Sequence, residues 1–548
     1  MNKKDLKKNA LFKLLILIGI IVVINVISTR VFKWFDFTKN KNFTLTQVSR
    51  DFVGGLNDRL LVKAFVSDNL PAPFNNIKQQ LRDKLSDYRS FSSGNLNFEF
   101  YNPTGDGDTT LEREAQKFGI PALTIPSYEK DKAGYVKGFI GLVLEYQGKR
   151  ETIPYIQATD NIEYVISSKI KKIISDKRTK IGFLTGHSEY DITKFQSLYK
   201  TLQDLYEVVN VDVSGNKQIS QDVSALFIMG PKQPIPESHK FSLDQYIMKG
   251  GNVAWCLNRF VPNAQQNMPD LLIGDFVKNN LDDMLNSYGI KPLDDAVRDL
   301  QCAQVLVQTQ YEGFVKPVEN PFFPIISNID KEIPIFGSNT SVILPYVSSV
   351  DLNAAKDKPV KARALLTTSS KTGKDENFFI LSLGRFDNMD KKALDTLFAI
   401  KDGLVVGATY EGKFKSFYTG KPIPKDTVEN SLNMDNYKMI DESQKDSKMI
   451  YIGDGDFEDE NAKVPKENLM FFLNLVEYLS DEVGLSQIRG KEASDVPLPK
   501  ISEGTKQLFK FSNVLLPPAI ILLIGLFVWN RRNLKKKNLQ LKSKENEK

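Results

Sequence analysis

This chain of 548 residues contains only two cysteines and two histidines. Cys256 and Cys302 are too few for a disulfide scaffold or a cysteine-rich metal centre, and no Cys-x-x-Cys is present for redox work. They could pair outside the cytoplasm, but "NVAWCL" reads as an interior strand, so buried free thiols are expected. No Gly-x4-Gly-Lys-Ser/Thr phosphate loop occurs, and "SKTGKDEN" fails its spacing. ATP hydrolysis through such a loop is therefore excluded. Long apolar runs are missing from the interior of the chain and stand only at its two ends.

Those ends decide the class. Residues 11–28, "LFKLLILIGIIVVINVIS", follow a lysine-rich start, and residues 511–529, "FSNVLLPPAIILLIGLFVW", precede "NRRNLKKK". A membrane-spanning helix needs about 20 mostly apolar residues, and flanking Lys and Arg stay cytoplasmic. The expectation is an inner-membrane protein with two transmembrane helices, both termini cytoplasmic and the main body periplasmic. A cleaved signal peptide is the alternative for the first run, but "NVISTRVFKW" offers no small-x-small site. The net charge of +6 lies at the ends: residues 1–9 carry +3 and residues 530–548 carry +6, which leaves −3 for the body. The basic balance fits anionic lipid, not nucleic acid.

Two soluble domains fit the length. Residues 1–30 form the cytoplasmic tail and first span. Residues 31–178 read β-α-β-α-β-β-α, the order of a thioredoxin-like domain, with strands in "LLVKAFVS", "NLNFEFYNP", "IPALTI" and "GFIGLVLEYQGKRETIPYI". Residues 179–490 alternate strands and helices, which implies a parallel sheet. Its strands are "KIGFLTG", "EVVNVDV", "VSALFIMGP" and "NVAWCL", with "KMIYIGDGDFEDE" as the last. Helices are predicted over residues 190–206, 238–251 and 268–289, and further strands in "KARALLTTS" and "NFFILSLGRF". A linker at 491–510, the second span at 511–529 and a basic tail at 530–548 complete the chain. The fold class is α/β, anchored at both ends.

Site candidates are few. In "KIGFLTGHSEYD" His187 precedes Ser188 directly, and no elbow of the form Gly-x-Ser-x-Gly surrounds them, so catalysis is not expected. His239, in "PIPESHKF", offers no evident partner. Gly186 suits a tight strand-to-helix turn, and Ser188 or Asp191 suits a helix cap. Gly186, His187, Glu189, Gly230 and Pro231 are the candidates to line a crevice at the carboxyl ends of parallel strands. "GDGDFEDE" fails as a calcium loop because Asp459 stands where glycine is needed. Asp454 and Asp456 are left as weak metal candidates, and no cofactor is expected.

Five ordered phrases resemble a known family: "FLTGHSEYD", "ALFIMGPKQPIPESHKFSLDQYIMKGGNVAW", "LDDMLNSYGIKPLDDAVRD", "VILPYVSSVD" and "IYIGDGDF" followed by "NLMFFLNLVEYLSDE". They are similar to the gliding-motility-associated ABC transporter auxiliary proteins of Bacteroidetes (GldG-type). That family often has glycine where this chain has Ser188. The resemblance implies a flavodoxin- or amidotransferase-like sheet domain without a catalytic cysteine. It also implies a non-catalytic auxiliary or substrate-binding component beside a separate ATPase and a polytopic permease. The bilayer is a further partner, and envelope proteins or an unnamed substrate are others. A membrane-tethered solute receptor is the alternative, and a hydrolase or amidotransferase-like enzyme using His187 the more distant one.

Overall fold

A computed structural model describes residues 16, 19–20, 44–105, 109–129, 132–157, 161–175, 177–265, 268–308, 314–333, 335–336, 341–386, 389–426, 431–457, 466–480, 485–489 and 503–545. Two compact units result, Met1–Ser494 and Asp495–Lys548. Nearly all of the first apolar run lies outside the described residues.

The first unit begins with α1 (Gln47–Gly54), whose start is fixed by Thr46: its hydroxyl accepts from the Ser49 amide. Then follow β1 (Leu60–Val66), α2 (Ile77–Phe91), β2 (Leu96–Tyr101), β3 (Ile140–Tyr146), β4 (Lys149–Ile153) and α3 (Ile162–Ile174). The four strands form one sheet in the order β2-β1-β3-β4, with β1 and β2 parallel and the other pairs antiparallel. Helix α2 buries Ile77, Leu81, Leu85 and Tyr88, the stripe that helical spacing dictates. Buried Glu163 fastens α3 to α1, accepting from the Thr46 amide (2.7 Å) and the Ser49 hydroxyl (2.7 Å). One expectation fails here. The strand in "IPALTI" is not in this sheet; Leu123–Glu129 pairs with Lys132–Gly138 as a separate hairpin. Pro126 has no amide to give a ladder, and Tyr135 stands 78% exposed; the ribbon meets the core through buried Ile125 and partly buried Leu123.

The second sheet positions the site. Its strands are β5 (Lys180–Thr185), β6 (Glu207–Asp212), β7 (Val223–Met229), β8 (Val253–Cys256), β9 (Asn328–Ile329), β10 (Val360–Thr367), β11 (Val405–Gly412) and β12 (Ser447–Ile452), in the order β9-β10-β11-β12-β8-β7-β5-β6. The run from β12 to β6 is parallel, and β9 to β11 add an antiparallel flank. Alternation sends Ile181, Phe183, Phe227, Cys256 and Ile450 to one face. Leu184, Leu226, Ile228, Trp255 and Tyr451 go to the other. Both faces are covered, which is why these strands read as continuous apolar runs. The first face receives α4 (Gln196–Leu205) and α6 (Lys466–Leu479), with Phe472 stacked on Phe227 at 5.1 Å. The second receives α5 (Glu237–Met248), after which Gly250 takes the left-handed region.

Three further expectations change. The helix expected over 190–206 starts only at Gln196, after a 3-10 turn at Ile192–Lys194 that Asp191 caps. The helix expected over 268–289 shrinks to Asp282–Ser287. Met268–Phe276 is instead a strand paired with Phe260–Gln265, a short apolar run whose period does not distinguish the two states. In "NFFILSLGRF" only a single bridge forms, Ile380 to Ile273, before a 3-10 turn at Leu383–Phe386. Helix α7 (Leu485–Arg489) follows α6 and ends the described part of this unit.

The described residues of the second unit form one helix, α8 (Glu503–Glu545), so residues 503–510 are helical where a linker was expected. Its described apolar side chains, among them Phe511, Ile521 and Trp529, are exposed. Among the described residues, no helix is long and apolar enough to cross a membrane.

Candidate functional site

Strand β5 lies between β6 and β7, so the chain leaves it in one direction along the sheet and later returns on the other. The carboxyl ends of β5 and β7 flank that reversal, where open α/β sheets usually keep a crevice. Here the crevice is closed by the chain itself. The Tyr190 amide donates to the Met229 carbonyl (2.9 Å), and the Lys232 and Gln233 amides both donate to the His187 carbonyl (3.0 Å each). The ammonium of Lys232 sits 4.2 Å above the Tyr190 ring. Gly230 has a φ of 53°, and a Cβ there would collide with that ring and with Asn258 Oδ1. A cavity of about 170 Å³ opens instead at the opposite end of the sheet, beside Tyr246, Lys249 and Gly250.

Gly186 has a φ of 115° and turns the chain sharply out of β5. His187 then points inward while the neighbouring Ser188 is exposed, so the two side chains part. Ser188 itself is left-handed, with a φ of 58°. The His187 amide donates to Glu189 Oε2 (2.7 Å), and its Nδ1 lies 2.8 Å from Glu189 Oε1. Its Nε2 lies 2.8 Å from Nδ1 of His239, on the first turn of α5. His239 Nε2 in turn lies 3.1 Å from Asp426 Oδ2, which also accepts from the Gly215 amide (2.8 Å). The four side chains are between 3% and 13% exposed. The expectation that His239 offers no partner is thus corrected: the chain's two histidines are hydrogen-bonded to each other across 52 positions of sequence.

Of the predicted crevice residues, Gly186 and Gly230 shape the turns, Pro231 continues the second turn, and His187 and Glu189 face inward into the four-residue chain. Asp454 is fully buried and accepts from the Asp456 amide (3.0 Å), while Asp456 accepts from Asn258 (2.8 Å). Among the described residues, no group of three or more His, Cys, Asp or Glu side chains is placed to hold a metal. Sequence reasoning missed Asp426, which sits in a loop with no motif around it. It also passed over Tyr190 and Asn258. His239 could have been found by rarity alone.

Both cysteines are free. Burial pushes the Cys256 thiol well up, with Asp454 adding to the effect. Burial, then Glu319 and Asp299, pushes Cys302 up to about 11. Neither is poised as a nucleophile.

The site is thus an α/β sheet, parallel at its centre, whose switch point is filled by its own side chains, with all four histidine ring nitrogens in hydrogen-bond contact. Residues 178–474 match the family described as an ABC-type uncharacterized transport system, and the chain belongs to that family, an accessory component of ABC transport. Residues 39–145 match a domain of unknown function (DUF7088). An uncharacterized protein of Borreliella burgdorferi is 25% identical over 540 residues, covering 96% of this chain and 99% of its own length. Among solved structures, an IFT52 N-terminal domain has a TM-score of 0.31 at 16% identity, covering 55% of this chain and 97% of its own. A ThuA-like protein from Parabacteroides merdae has a TM-score of 0.21 at 12% identity, covering 35% and 69%. Likenesses that low carry no structural argument.

Proposed function

We propose that the chain is a non-catalytic auxiliary subunit of an ABC transport complex, anchored at both ends in the inner membrane with its body in the periplasm. The family match over residues 178–474 carries this reading. A separate ATPase supplies the nucleotide hydrolysis for which this chain has no phosphate loop, and a polytopic permease binds its two spans. The exposed apolar side chains along α8 and the basic residues after Trp529 support a membrane anchor there. The order β2-β1-β3-β4 supports a thioredoxin-like domain within residues 31–178. The five parallel strands, taken in chain order and read across the sheet as 2-1-3-4-5, support a flavodoxin-like domain within residues 179–490. Both ring nitrogens of His187 are engaged, and Ser188 points away, which supports a mechanical role over hydrolysis. The Tyr190 ring in the switch-point crevice weighs against a solute receptor using that crevice.

The test is extraction of native membranes in mild detergent, followed by affinity purification of the full chain. Co-recovery of an ATPase and a polytopic permease is expected; repeated recovery of the chain alone would overturn the assignment. Association with gliding motility is the finer part of the proposal. Deleting the gene should stop surface gliding while the ATPase and permease remain abundant, and unchanged gliding would remove that part.

A further inference from the structure

Three consecutive contacts join Glu189, His187, His239 and Asp426, at 2.8, 2.8 and 3.1 Å. Each is a hydrogen-bond length, so each needs one hydrogen. Two neutral imidazoles bring only two ring hydrogens, and two carboxylates bring none. Whichever atoms own the protons, three bridges require one proton more than the neutral rings and charged carboxylates hold. Without it, one bridge becomes two lone pairs in contact. The amide bonds from His187 to Glu189 and from Gly215 to Asp426 favour charged carboxylates. That leaves the inner pair, His187 Nε2 and His239 Nδ1, as the place where the extra cation must sit.

We infer that His187 and His239 share one proton and form a single imidazole–imidazolium clasp, held between Glu189 and Asp426, that fastens the segment between β11 and β12 to the carboxyl edge of the sheet. A transition metal would fit the inner nitrogens less well. Metal–nitrogen bonds of about 2.0–2.1 Å in a tetrahedral site put the two nitrogens roughly 3.3 Å apart. They stand at 2.8 Å. Asp426 passes the clasp on: its amide donates to Asn216 Oδ1 (3.2 Å), Asn216 Nδ2 donates to the Leu432 carbonyl (3.2 Å), and the Leu432 amide donates to the Gly215 carbonyl (2.9 Å). Charged groups described nearby have partners of their own. Asp212 pairs with Lys217, Glu237 with Lys240 and Tyr418, and Lys425 with Asp435, while Lys232 lies on Tyr190. None of these contacts supplies the missing hydrogen. The clasp is a protonation-dependent latch on that loop.

The two histidines make the measurement direct, because the whole chain has only four imidazole nitrogens. Full-length protein labelled with ¹⁵N-histidine, purified in detergent, should show three protonated ring nitrogens and one bare one. Two or four protonated nitrogens would overturn the inference. So would a stoichiometric metal found by elemental analysis, with a spectrum that changes on chelation. A second measurement reads the latch. In His239→Gln, amide exchange at Gly215, Asp426 and Leu432 should quicken roughly tenfold or more, while β1 is unchanged. A folded variant with unchanged exchange at those three amides would also overturn it.

Discussion

Ser188 occupies the left-handed region, where an L-residue other than glycine pays about 1–2 kcal/mol. The site nevertheless needs that conformation, because it turns His187 inward and Ser188 outward within one peptide. Ser188→Gly should therefore raise stability by up to about 1 kcal/mol in urea titration, with the added freedom of the unfolded chain offsetting part of the gain. A clear loss of stability would mean that the hydroxyl makes a contact worth more than the strain. The cysteines give a second residue-scale expectation. With Cys256 buried and Cys302 pushed up to about 11, neither thiol should be alkylated by iodoacetamide at pH 8 in the folded protein. Both should react in denaturant, and rapid native labelling of either would contradict the burial described. The turn at Gly186 was legible in "TGHSEYD"; the partner was not. Two histidines 52 positions apart meet only because β5 and the start of α5 end on the same edge of one sheet.

Elements whose character comes from local pattern were the legible ones. The apolar runs of β5, β7, β8 and β12, and the stripe of α2, follow directly from burial on one face or two. Where the expectation failed, the deciding contact was remote. Met268–Phe276 becomes a strand because Phe260–Gln265 and the segment around Phe379 are there to pair with it. The loop that carries Asp426 has no periodicity at all, and it is held by a buried acid on α5. Asp244 is fully buried and receives four donors: the hydroxyls of Tyr288 (2.6 Å) and Ser416 (2.7 Å), the Phe417 amide (2.8 Å) and the Gln245 amide nitrogen (2.9 Å). Burial pushes its carboxyl above the usual carboxylate range, and these hydrogen bonds oppose the shift. An amide in its place would turn an NH₂ toward either the Phe417 backbone amide or the Gln245 side-chain nitrogen, both of which can only donate. Asp244→Asn should therefore cost about 2–3 kcal/mol and raise hydrogen exchange between Phe414 and Tyr418 before the rest of the sheet. An unchanged melting transition would show that the acid is not what holds this loop.

At the scale of the whole first unit, two sheets with separate cores must be kept together, and a buried ion pair lies at the join. Arg489, on α7, donates to Asn474 (2.5 Å) and pairs with Glu477, both on α6. It also donates to the Tyr164 hydroxyl (3.4 Å) on α3, while Asn161 donates to the Ile488 carbonyl (3.0 Å). The side chains of Arg489 and Glu477 are 4% and 0% exposed. Lys169 and Lys172 on α3 add pairs to the half-exposed Asp204 on α4, whose contact with water keeps their contribution small. Removing one member of a buried pair leaves the other charged and unpaired, a cost of about 3–5 kcal/mol. Arg489→Ala should thus lower stability by that amount. If the pair holds the N-terminal sheet domain to the central one, protease cleavage between Ser175 and Lys180 should also quicken. Replacing both partners at once, Arg489→Met with Glu477→Leu, removes the stranded charge and should recover most of the loss. The comparison separates two accounts of the join. Recovery of stability together with protection at 175–180 would mean that apolar packing by α7 suffices to hold the domains. Recovery of stability without protection would mean that the ion pair and its reach to Tyr164 fix how the two domains meet. A join fixed in that way would let a movement of one domain be passed to the other.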